Sequence, residues 1–268
     1  MRRPGRLLVW AAALFAVLLL IVPTLIVIPV SLGDQASFRF PPSGWSLRWY
    51  RQLVEEPAWR TTFGNSLLIA TLSALTASVV GTAAALGLRR FLRSINREVV
   101  RSTLLIPLIV PEIVLAVGLY SFFLKIGLVG TLTGFVLAHA TLGIPLVVTT
   151  VTASLAGFDP NLERAAASLG AGPWMTARRV TVPLILPGLL AGTLFAFILS
   201  LDNLVMSLFI QTPDLSTLPV LMWSSMTRDT DPTIAAAATV ILLTTTVVLC
   251  AALTILGRRT TTERGPLL

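Results

Sequence analysis

Apolar residues fall into six long runs that are separated by shorter polar segments. The runs occupy residues 7–31, 61–88, 102–124, 128–155, 183–210 and 234–256. Each is long enough for a helix that crosses a lipid bilayer, which takes about 20 mostly apolar residues. None shows the period-two alternation of a membrane barrel strand. The pattern predicts an all-α membrane protein with six transmembrane helices, kinked where prolines lie inside runs, at Pro23, Pro107, Pro111, Pro145 and Pro187.

The composition agrees with lipid as the surroundings of these runs. The chain has 268 residues, of which 55% are hydrophobic and 12% are charged, whereas about a quarter of the residues in a soluble domain are charged. The net charge of +8 does not indicate a nucleic-acid-binding protein. Most basic residues lie in short clusters beside the apolar runs, and no nucleic-acid-binding motif accompanies them.

The basic clusters predict the orientation of the chain. They lie at residues 2–6, 89–101, 164–179 and 258–264, and six crossings place all of them on one side of the membrane. Because arginine and lysine concentrate in cytoplasmic segments, both termini are predicted to be cytoplasmic. The chain then divides into a first transmembrane helix with an outer loop (1–60), a transmembrane core (61–257) and a cytoplasmic tail (258–268).

The cytoplasmic segment 155–182 carries the signals of a short capped helix over 159–170. Asp159 is a suitable N-cap, Pro160 suits the first helical position, and Gly170 suits a left-handed residue that ends a helix. Apolar residues recur between them at helical spacing, at Leu162, Ala165, Ala166 and Leu169. A second short helix is predicted to begin at Gly172-Pro173. The apolar stripe must be buried against the protein's own helices or in a groove of a partner, and the residues alone leave both open.

The same segment contains a spaced motif. Arg164-Ala165-Ala166 is followed after three residues by Gly170, and after nine more by Val180-Thr181-Val182-Pro183. This spacing resembles the EAA signature of the permease subunits of type I ABC importers, in which Glu-Ala-Ala precedes the glycine and Ile-x-Leu-Pro ends the motif. Arg164 stands where the signature has glutamate, and Glu163 stands one place earlier.

The resemblance implies the type I ABC importer permease fold, with the helix at 159–170 seated in a cleft of an ATP-binding subunit as a coupling helix. It places the docking contacts at Glu163, Arg164, Ala165, Ala166, Gly170 and Pro183. The partners that it implies are ABC ATPase subunits, a homologous permease subunit and an extracytoplasmic solute-binding protein. The expected location is the bacterial cytoplasmic (inner) membrane.

ATP is expected on the partner ATPase and not on this chain. The sequence has no Gly-x-x-x-x-Gly-Lys-Ser/Thr loop to hold the phosphates, and its single lysine, Lys125, lies at the outer end of a run. No Ser/His/Asp arrangement and no spacing of metal ligands is visible either. We therefore expect a transport subunit and not an enzyme, with no cofactor or metal bound by this chain.

Three ionisable residues lie inside the apolar runs: Glu112, His139 and Asp202. Such residues are costly in lipid, and they usually face a helix bundle interior or a transport pathway. Each either completes hydrogen bonds between helices or lines the route of the solute. We predict the first role for His139 and the second for Asp202, and Glu112 suits both. Together with Asn203, these two acids form the candidate substrate pathway.

Two stretches indicate the solute. The sequence Val-Pro-Glu-Ile-Val-Leu at 110–115 and the segment 199–239 resemble the second permease subunit of spermidine/putrescine importers. In that subfamily a second aspartate stands where this chain has Asn203. The resemblance implies import of polyamines or a similar small cationic solute. Alternatives are a permease for ferric iron, thiamine or phosphonate, an ion-coupled secondary transporter, and an intramembrane enzyme.

Overall fold

The computed structural model describes residues 3–90, 94–228 and 231–263. Its helices in chain order are α1 (Arg3–Ser31), α2 (Arg48–Glu55), α3 (Pro57–Arg90), α4 (Ser94–Ile109), α5 (Glu112–Ile126), α6 (Leu132–Ala156), α7 (Asn161–Ser168), α8 (Pro173–Thr176), α9 (Val182–Leu201), α10 (Val205–Ile210), α11 (Leu218–Arg228) and α12 (Thr233–Glu263). A π-helical turn, Ala177–Thr181, joins α8 to α9. No β-strand occurs within the described residues, and the predicted all-α class is confirmed.

Each of the six predicted runs coincides with helical structure. Five helices are long and apolar enough to cross a membrane by themselves: Leu8–Ser31, Pro57–Arg89, Leu132–Ala156, Pro173–Leu201 and Thr233–Thr254. The third run is a bent pair, Asn96–Ile109 and Glu112–Ile126, whose axes differ by 100°. Within the described residues, the six predicted spans therefore correspond to five single helices and one bent pair.

The break in the third run lies at Val110 and Pro111. Proline has no backbone N–H, and it disfavours helical torsion angles in the residue before it. Pro111 itself has φ −52° and ψ 129°, which is extended backbone, and α5 begins at the next residue, Glu112. The kink predicted at this proline is thus a complete interruption. The other four prolines lie inside continuous helices.

The fifth run differs from its prediction at both ends. Helical backbone begins at Pro173, ahead of residue 183, because α8, the π-helical turn and α9 follow one another with helical torsion angles at Ala177 and Thr181. The helix predicted to begin at Gly172-Pro173 does begin there, as α8, but it continues through the π-helical turn into the span. At the other end α9 stops at Leu201, and a short non-helical link precedes α10.

The chain divides into two compact units, Met1–Thr61 with Leu221–Thr244, and Thr62–Val220 with Thr245–Leu268. In the first unit, the segment after α1 is folded. The indole nitrogen of Trp49 donates to the carbonyl of Gly33 over 2.9 Å, and the hydroxyls of Ser31 and Tyr50 lie 2.6 Å apart. These bonds hold the short helix α2 against the end of α1.

Helix α6 lies at the centre of the second unit, and α3 and α9 pack closely on it. The contacts use small residues at every fourth position: Ala77, Gly81 and Ala85 of α3, and Gly188, Gly192 and Ala196 of α9. A Cβ atom at Gly81 would lie 2.8 Å from Cβ of Val147, and one at Gly192 would lie 2.8 Å from Cα of Val147. Small residues permit such close approach of helices in lipid, where van der Waals packing drives association.

Parts of two sequence predictions lie outside the described residues. Among the basic clusters these parts are residue 2, residues 91–93 and residue 264. The predicted tail at 258–268 begins as a continuation of α12, which extends to Glu263, and residues 264–268 lie outside the described part.

Candidate functional site

Helix α7 has the caps that the sequence predicts. The Asp159 carboxylate accepts a hydrogen bond from the backbone N–H of Asn161 over 2.9 Å. Pro160 has helical torsion angles but precedes the first helical residue, Asn161, so the helix begins later than predicted. At the other end Gly170 has φ +85°, and the N–H groups of Gly170 and Ala171 donate to the carbonyls three and five residues earlier. This pair of bonds is a Schellman motif, which ends the helix in a left-handed residue.

The apolar stripe of α7 does not pack on the protein's own helices. Leu162 is 45% exposed and Leu169 is 89% exposed, Ala165 is exposed as well, and Ala166 is half-buried. No residue of α7 is buried. Of the two possibilities that the sequence left open, burial against the same chain is therefore wrong.

Glu163 faces away from that stripe and connects α7 to two other helical segments. Its Oε1 accepts a hydrogen bond from the hydroxyl of Thr181 over 2.7 Å, and its Oε2 lies 3.6 Å from Nη2 of Arg89. The guanidinium of Arg89 also stacks on the ring of Phe158 at 4.0 Å. Thr181 belongs to the π-helical turn and Arg89 to the end of α3. Glu163, predicted as a docking contact, is thus engaged within its own chain.

The other predicted docking residues are differently placed. Arg164 is exposed, and its guanidinium has no partner among the described residues. Pro183 is exposed on the first turn of α9, two residues beyond Thr181. Glu163 and Arg164 therefore divide the polar roles at the start of α7, with the acid turned inward and the base turned outward.

A second group of polar residues connects the two helix breaks. The side-chain amide of Asn203 donates to a carboxylate oxygen of Glu112. Asn203 lies in the link after α9, and Glu112 begins α5 just after Pro111. The amide oxygen of Asn203 also accepts from the backbone N–H of Met206 over 2.9 Å, which caps α10. Two residues proposed separately for the pathway are in direct contact.

His139 fills the interior beside these breaks. It is 2% exposed, with Nδ1 lying 2.7 Å from the hydroxyl of Ser200 and Nε2 lying 3.2 Å from the hydroxyl of Ser207. The Ser207 hydroxyl donates to the carbonyl of Asn203 over 2.8 Å. A proton on Nε2, with Nδ1 accepting from Ser200, therefore satisfies every member of the group. The role predicted for His139, hydrogen bonding between helices, is the one observed.

Asp202 stands apart from this network. It follows the last residue of α9 and is exposed, and its carboxylate has no partner among the described residues. Among the described residues, no group of three or more His, Cys, Asp or Glu side chains is placed to hold a metal ion.

Sequence reasoning missed the partners in both groups. Ser200 and Ser207 flank Asn203 at spacings of three and four residues, which is a local signal for a shared helix face. Thr181 lies within the EAA-like motif and Arg89 within a basic cluster, and nothing in their spacing pairs either of them with Glu163.

Comparisons with known proteins identify the family. Residues 77–262 match the model of the binding-protein-dependent transport system inner membrane component. The putrescine transport system permease protein PotI of Escherichia coli (strain K12) is 35% identical over 201 residues, which are 72% of this chain and 71% of that protein. The spermidine/putrescine transport system permease protein PotC of the same strain is 30% identical over 217 residues, 81% of each chain.

Another relative and two solved structures extend the likeness. The putative 2-aminoethylphosphonate transport system permease protein PhnV of Salmonella typhimurium (strain LT2) is 29% identical over 220 residues, 81% of this chain and 82% of that protein. A bacterial ABC transporter that imports the acidic polysaccharide alginate has a chain that superposes with a TM-score of 0.69 at 15% identity, covering 96% of this chain and 99% of that one. A chain of the MetNI methionine ABC transporter gives a TM-score of 0.63 at 19% identity, covering 76% and 98%.

The sequence relatives confirm the predicted family and inner-membrane location, and the solved structures confirm the fold. Members of the family are transport subunits, as predicted, and not enzymes. The chain belongs to the family of binding-protein-dependent transport system inner membrane components and is a permease subunit of an ABC importer.

Proposed function

We propose that α7 is the docking site of a separate ABC ATPase, whose ATP hydrolysis drives import through this permease. The observation that carries the proposal is the stripe of Leu162 and Leu169, which is exposed although it is apolar. The opposite side of α7 is tied by Glu163 to the end of α3 and to the π-helical turn before α9. A partner that pressed on the stripe would act on both of those helices through one carboxylate.

The assembly that this role requires has further members. Two ATPase copies would sit on the cytoplasmic face, beside a homologous permease subunit, and a solute-binding protein would deliver the solute from outside. The family description names dependence on a binding protein, and one similar structure is an alginate ABC transporter in complex with a periplasmic protein. Both termini and α7 are cytoplasmic in this arrangement, in keeping with the positions of the basic clusters.

The docking role is tested by changing Leu169 to aspartate. Leu169 is 89% exposed, so the substitution removes no internal packing and should leave insertion and folding unchanged. We expect at least about a tenfold loss in ATPase co-purified with the permease, as for a hot-spot residue of an interface. Leu47→Asp is the matched control, since Leu47 is also an exposed leucine in a polar segment but lies in the loop after α1. Equal ATPase recovery from the two variants would contradict the docking site.

For the solute, we propose a small molecule with a protonated primary amine, first of all a polyamine. PotI and PotC are named for putrescine and spermidine, at 35% and 30% identity. The likeness to PhnV at 29% identity supports 2-aminoethylphosphonate as a second candidate, and this compound also carries an amine. The exposed carboxylate of Asp202 is the group that we assign to that amine, while Glu112 is occupied by Asn203.

Uptake measurements distinguish these solutes and the remaining classes of transporter. Cells that express the complete importer should take up radiolabelled putrescine, and spermidine should compete more strongly than 2-aminoethylphosphonate, thiamine or ferric iron. Asp202→Asn should reduce that uptake about tenfold or more without loss of permease from the membrane. Depleting ATP while maintaining the ion gradients should stop transport. Uptake that persisted without ATP would favour an ion-coupled secondary transporter instead.

A further inference from the structure

A cavity of about 600 Å³ opens where α3 ends, bounded by the first turns of α4, the last turns of α6 and the start of α7. Its wall includes Arg89, Arg97, Arg101, Thr152, Phe158 and Glu163. Neither the docking stripe of α7 nor the Glu112–Asn203 contact lines it. The cavity is therefore distinct from the docking stripe and from the Glu112–Asn203 contact, and it shares Glu163 with the proposed link between α7 and the neighbouring helices.

The wall of the cavity has an excess of positive charge. Three guanidinium groups face one carboxylate, that of Glu163, whose Oε2 lies 3.6 Å from Arg89. The positive charge of Arg97 is not neutralised by its hydrogen bonds, because its guanidinium donates to the uncharged main-chain carbonyls of Leu88 and Arg89, over 2.8 and 2.9 Å. Arg101 reaches only a distant contact with Glu98, at 4.0 Å, and both of these side chains are largely exposed. An anion in the cavity would be attracted by this unbalanced charge.

Two buried polar atoms of the same wall have no hydrogen-bond partner among the described residues: Nη1 of Arg89 and Oγ1 of Thr152. Thr152 is unusual within α6, since the neighbouring Thr149 and Thr150 both donate to the carbonyl four residues earlier. A buried polar group without a partner is destabilising, and it calls for a specific explanation. The guanidinium of Arg89 can only donate and the hydroxyl of Thr152 can donate, so an acceptor group would satisfy both atoms.

We propose that this cavity is a binding site for a phosphate oxyanion. Phosphate oxygens would accept from Nη1 of Arg89 and from the hydroxyl of Thr152 once these buried groups turn toward the cavity, while Arg101 would approach from the rim. Guanidinium groups suit phosphate because their fixed N–H donors match its oxygens in pairs. The inference goes beyond the transport role, and it depends neither on the identity of the solute nor on ATPase docking.

The phosphate can come from a phospholipid headgroup or from free phosphate. The candidate membrane span of α3 extends to Arg89, so the cavity lies at one end of a membrane helix, where a lipid headgroup would be within reach. Basic pockets between transmembrane helices on the cytoplasmic side are a recurring site for anionic lipids. Both sources offer the same oxyanion to Arg89 and Thr152, and the experiment has one arm for each.

Thr152→Val and Arg101→Gln are the diagnostic variants. Valine keeps the shape of threonine and removes only the unpartnered hydroxyl, so without ligand its unfolding temperature should be equal to that of the wild type or higher. Arg101 is largely exposed and has only the weak contact with Glu98, so its loss should not affect folding. Arg178→Gln is the matched control, because Arg178 is exposed and lies outside the cavity wall.

In the first arm, inorganic phosphate is titrated into the full-length detergent-purified chain at constant ionic strength, and binding is measured calorimetrically. In the second arm, native mass spectrometry counts the phosphatidylglycerol and phosphatidylcholine that remain bound after reconstitution in an equal mixture. We expect selective binding in at least one arm, weakened about tenfold in Thr152→Val and in Arg101→Gln, as for the loss of one charge-assisted hydrogen bond.

The outcomes distinguish a lipid headgroup from free phosphate as the ligand, and both of these from an absence of binding. Retention of phosphatidylglycerol over phosphatidylcholine assigns the site to a lipid, and saturable phosphate binding without lipid retention assigns it to free phosphate. Binding in neither arm, or binding that both cavity variants leave at the level of Arg178→Gln, overturns the proposal. In that case a water molecule satisfies Thr152 and Arg89.

Discussion

Two polar clusters in the same helical unit satisfy their hydrogen bonds in different ways. The helix-break cluster consists of Glu112, His139, Ser200, Asn203 and Ser207, and each of its side chains has a partner within the cluster. The helix-end cluster consists of Arg89, Arg97, Thr152, Glu163 and Thr181, and it contains two buried polar atoms without a partner among the described residues. The first cluster is closed, and the second is open toward a cavity.

The difference indicates that the helix-break cluster fixes the geometry of the helices, whereas the helix-end cluster can accept a ligand. A closed network in an apolar interior has one favourable geometry, because any rearrangement leaves a polar group unsatisfied at a cost. The helix-break cluster thus fixes α5 relative to the link between α9 and α10. An open network already has unsatisfied donors, so a ligand or a partner can be added without breaking existing bonds. Substitutions should therefore be more costly in the helix-break cluster than in the helix-end cluster.

The largest effect is expected from His139→Ala. The change removes a buried ring and leaves the hydroxyls of Ser200 and Ser207 short of a partner. The free energy of unfolding in detergent should fall by about 3 kcal/mol, from the cavity and the unsatisfied groups together. Denaturant titration followed by circular dichroism measures it. A loss below about 1 kcal/mol would show that the hydroxyls of Ser200 and Ser207 find other partners when the imidazole is removed.

An intermediate effect is expected from Asn203→Asp, which places two carboxylates against each other at positions 112 and 203. The variant loses the donor to Glu112 and adds repulsion, and we expect a loss of about 2 kcal/mol in the free energy of unfolding. The double variant Glu112→Gln with Asn203→Asp exchanges donor and acceptor. It should recover at least half of that loss.

The double-mutant comparison isolates the contact itself. An aspartate at position 203 can still accept from the N–H of Met206, so the cap of α10 is retained in both variants. If the double variant were as unstable as the single one, the hydrogen bond between positions 112 and 203 would contribute little to stability. The helix breaks would then have to be fixed by packing alone.

The smallest effect is expected from Glu163→Gln. Glutamine keeps the acceptor for Thr181 and loses the charge facing Arg89 at 3.6 Å. The free energy of unfolding should change by less than about 1 kcal/mol, because a partly exposed ion pair contributes little. The same variant removes the one carboxylate of the cavity wall and should strengthen phosphate binding. Weaker phosphate binding in Glu163→Gln would count against the electrostatic part of that proposal.

The sequence predicts local structure in this protein well and long-range contacts poorly. The apolar runs, the caps of α7 at Asp159 and Gly170, and a kink at Pro111 all follow from short-range rules on hydrophobicity, capping and proline. The prediction of the fifth span fails at Leu201, because hydropathy continues through Leu204 to Ile210 while the backbone does not. Run length alone cannot detect a break that polar side chains stabilise from another helix.

The pairing of Glu163 with Arg89 shows a second limit. The motif places Glu163 at the start of α7, and helical spacing puts it off the apolar stripe, but its partner lies on a helix far away in sequence. Which arginine of the basic cluster it meets depends on how α3 and α9 pack on α6, through small residues such as Gly81 and Gly192. The sequence did not predict this internal contact of Glu163, and its docking role, like that of Arg164, stays a prediction.

The continuous helix from Pro173 to Leu201 has a mechanical consequence. Its 29 residues give a rod of about 43 Å at a rise of 1.5 Å per residue. Thr181, bonded to Glu163 of α7, lies about a third of the way along this helix, and Asp202 follows its last residue. The close contacts of Gly188 and Gly192 with α6 lie near the middle of this helix, and a tilt of the helix would pivot about them. A tilt of about 10° about this point would move Thr181 by about 2 Å and Asp202 by about 3 Å in opposite directions, so the helix would couple a displacement of α7 to the carboxylate of Asp202.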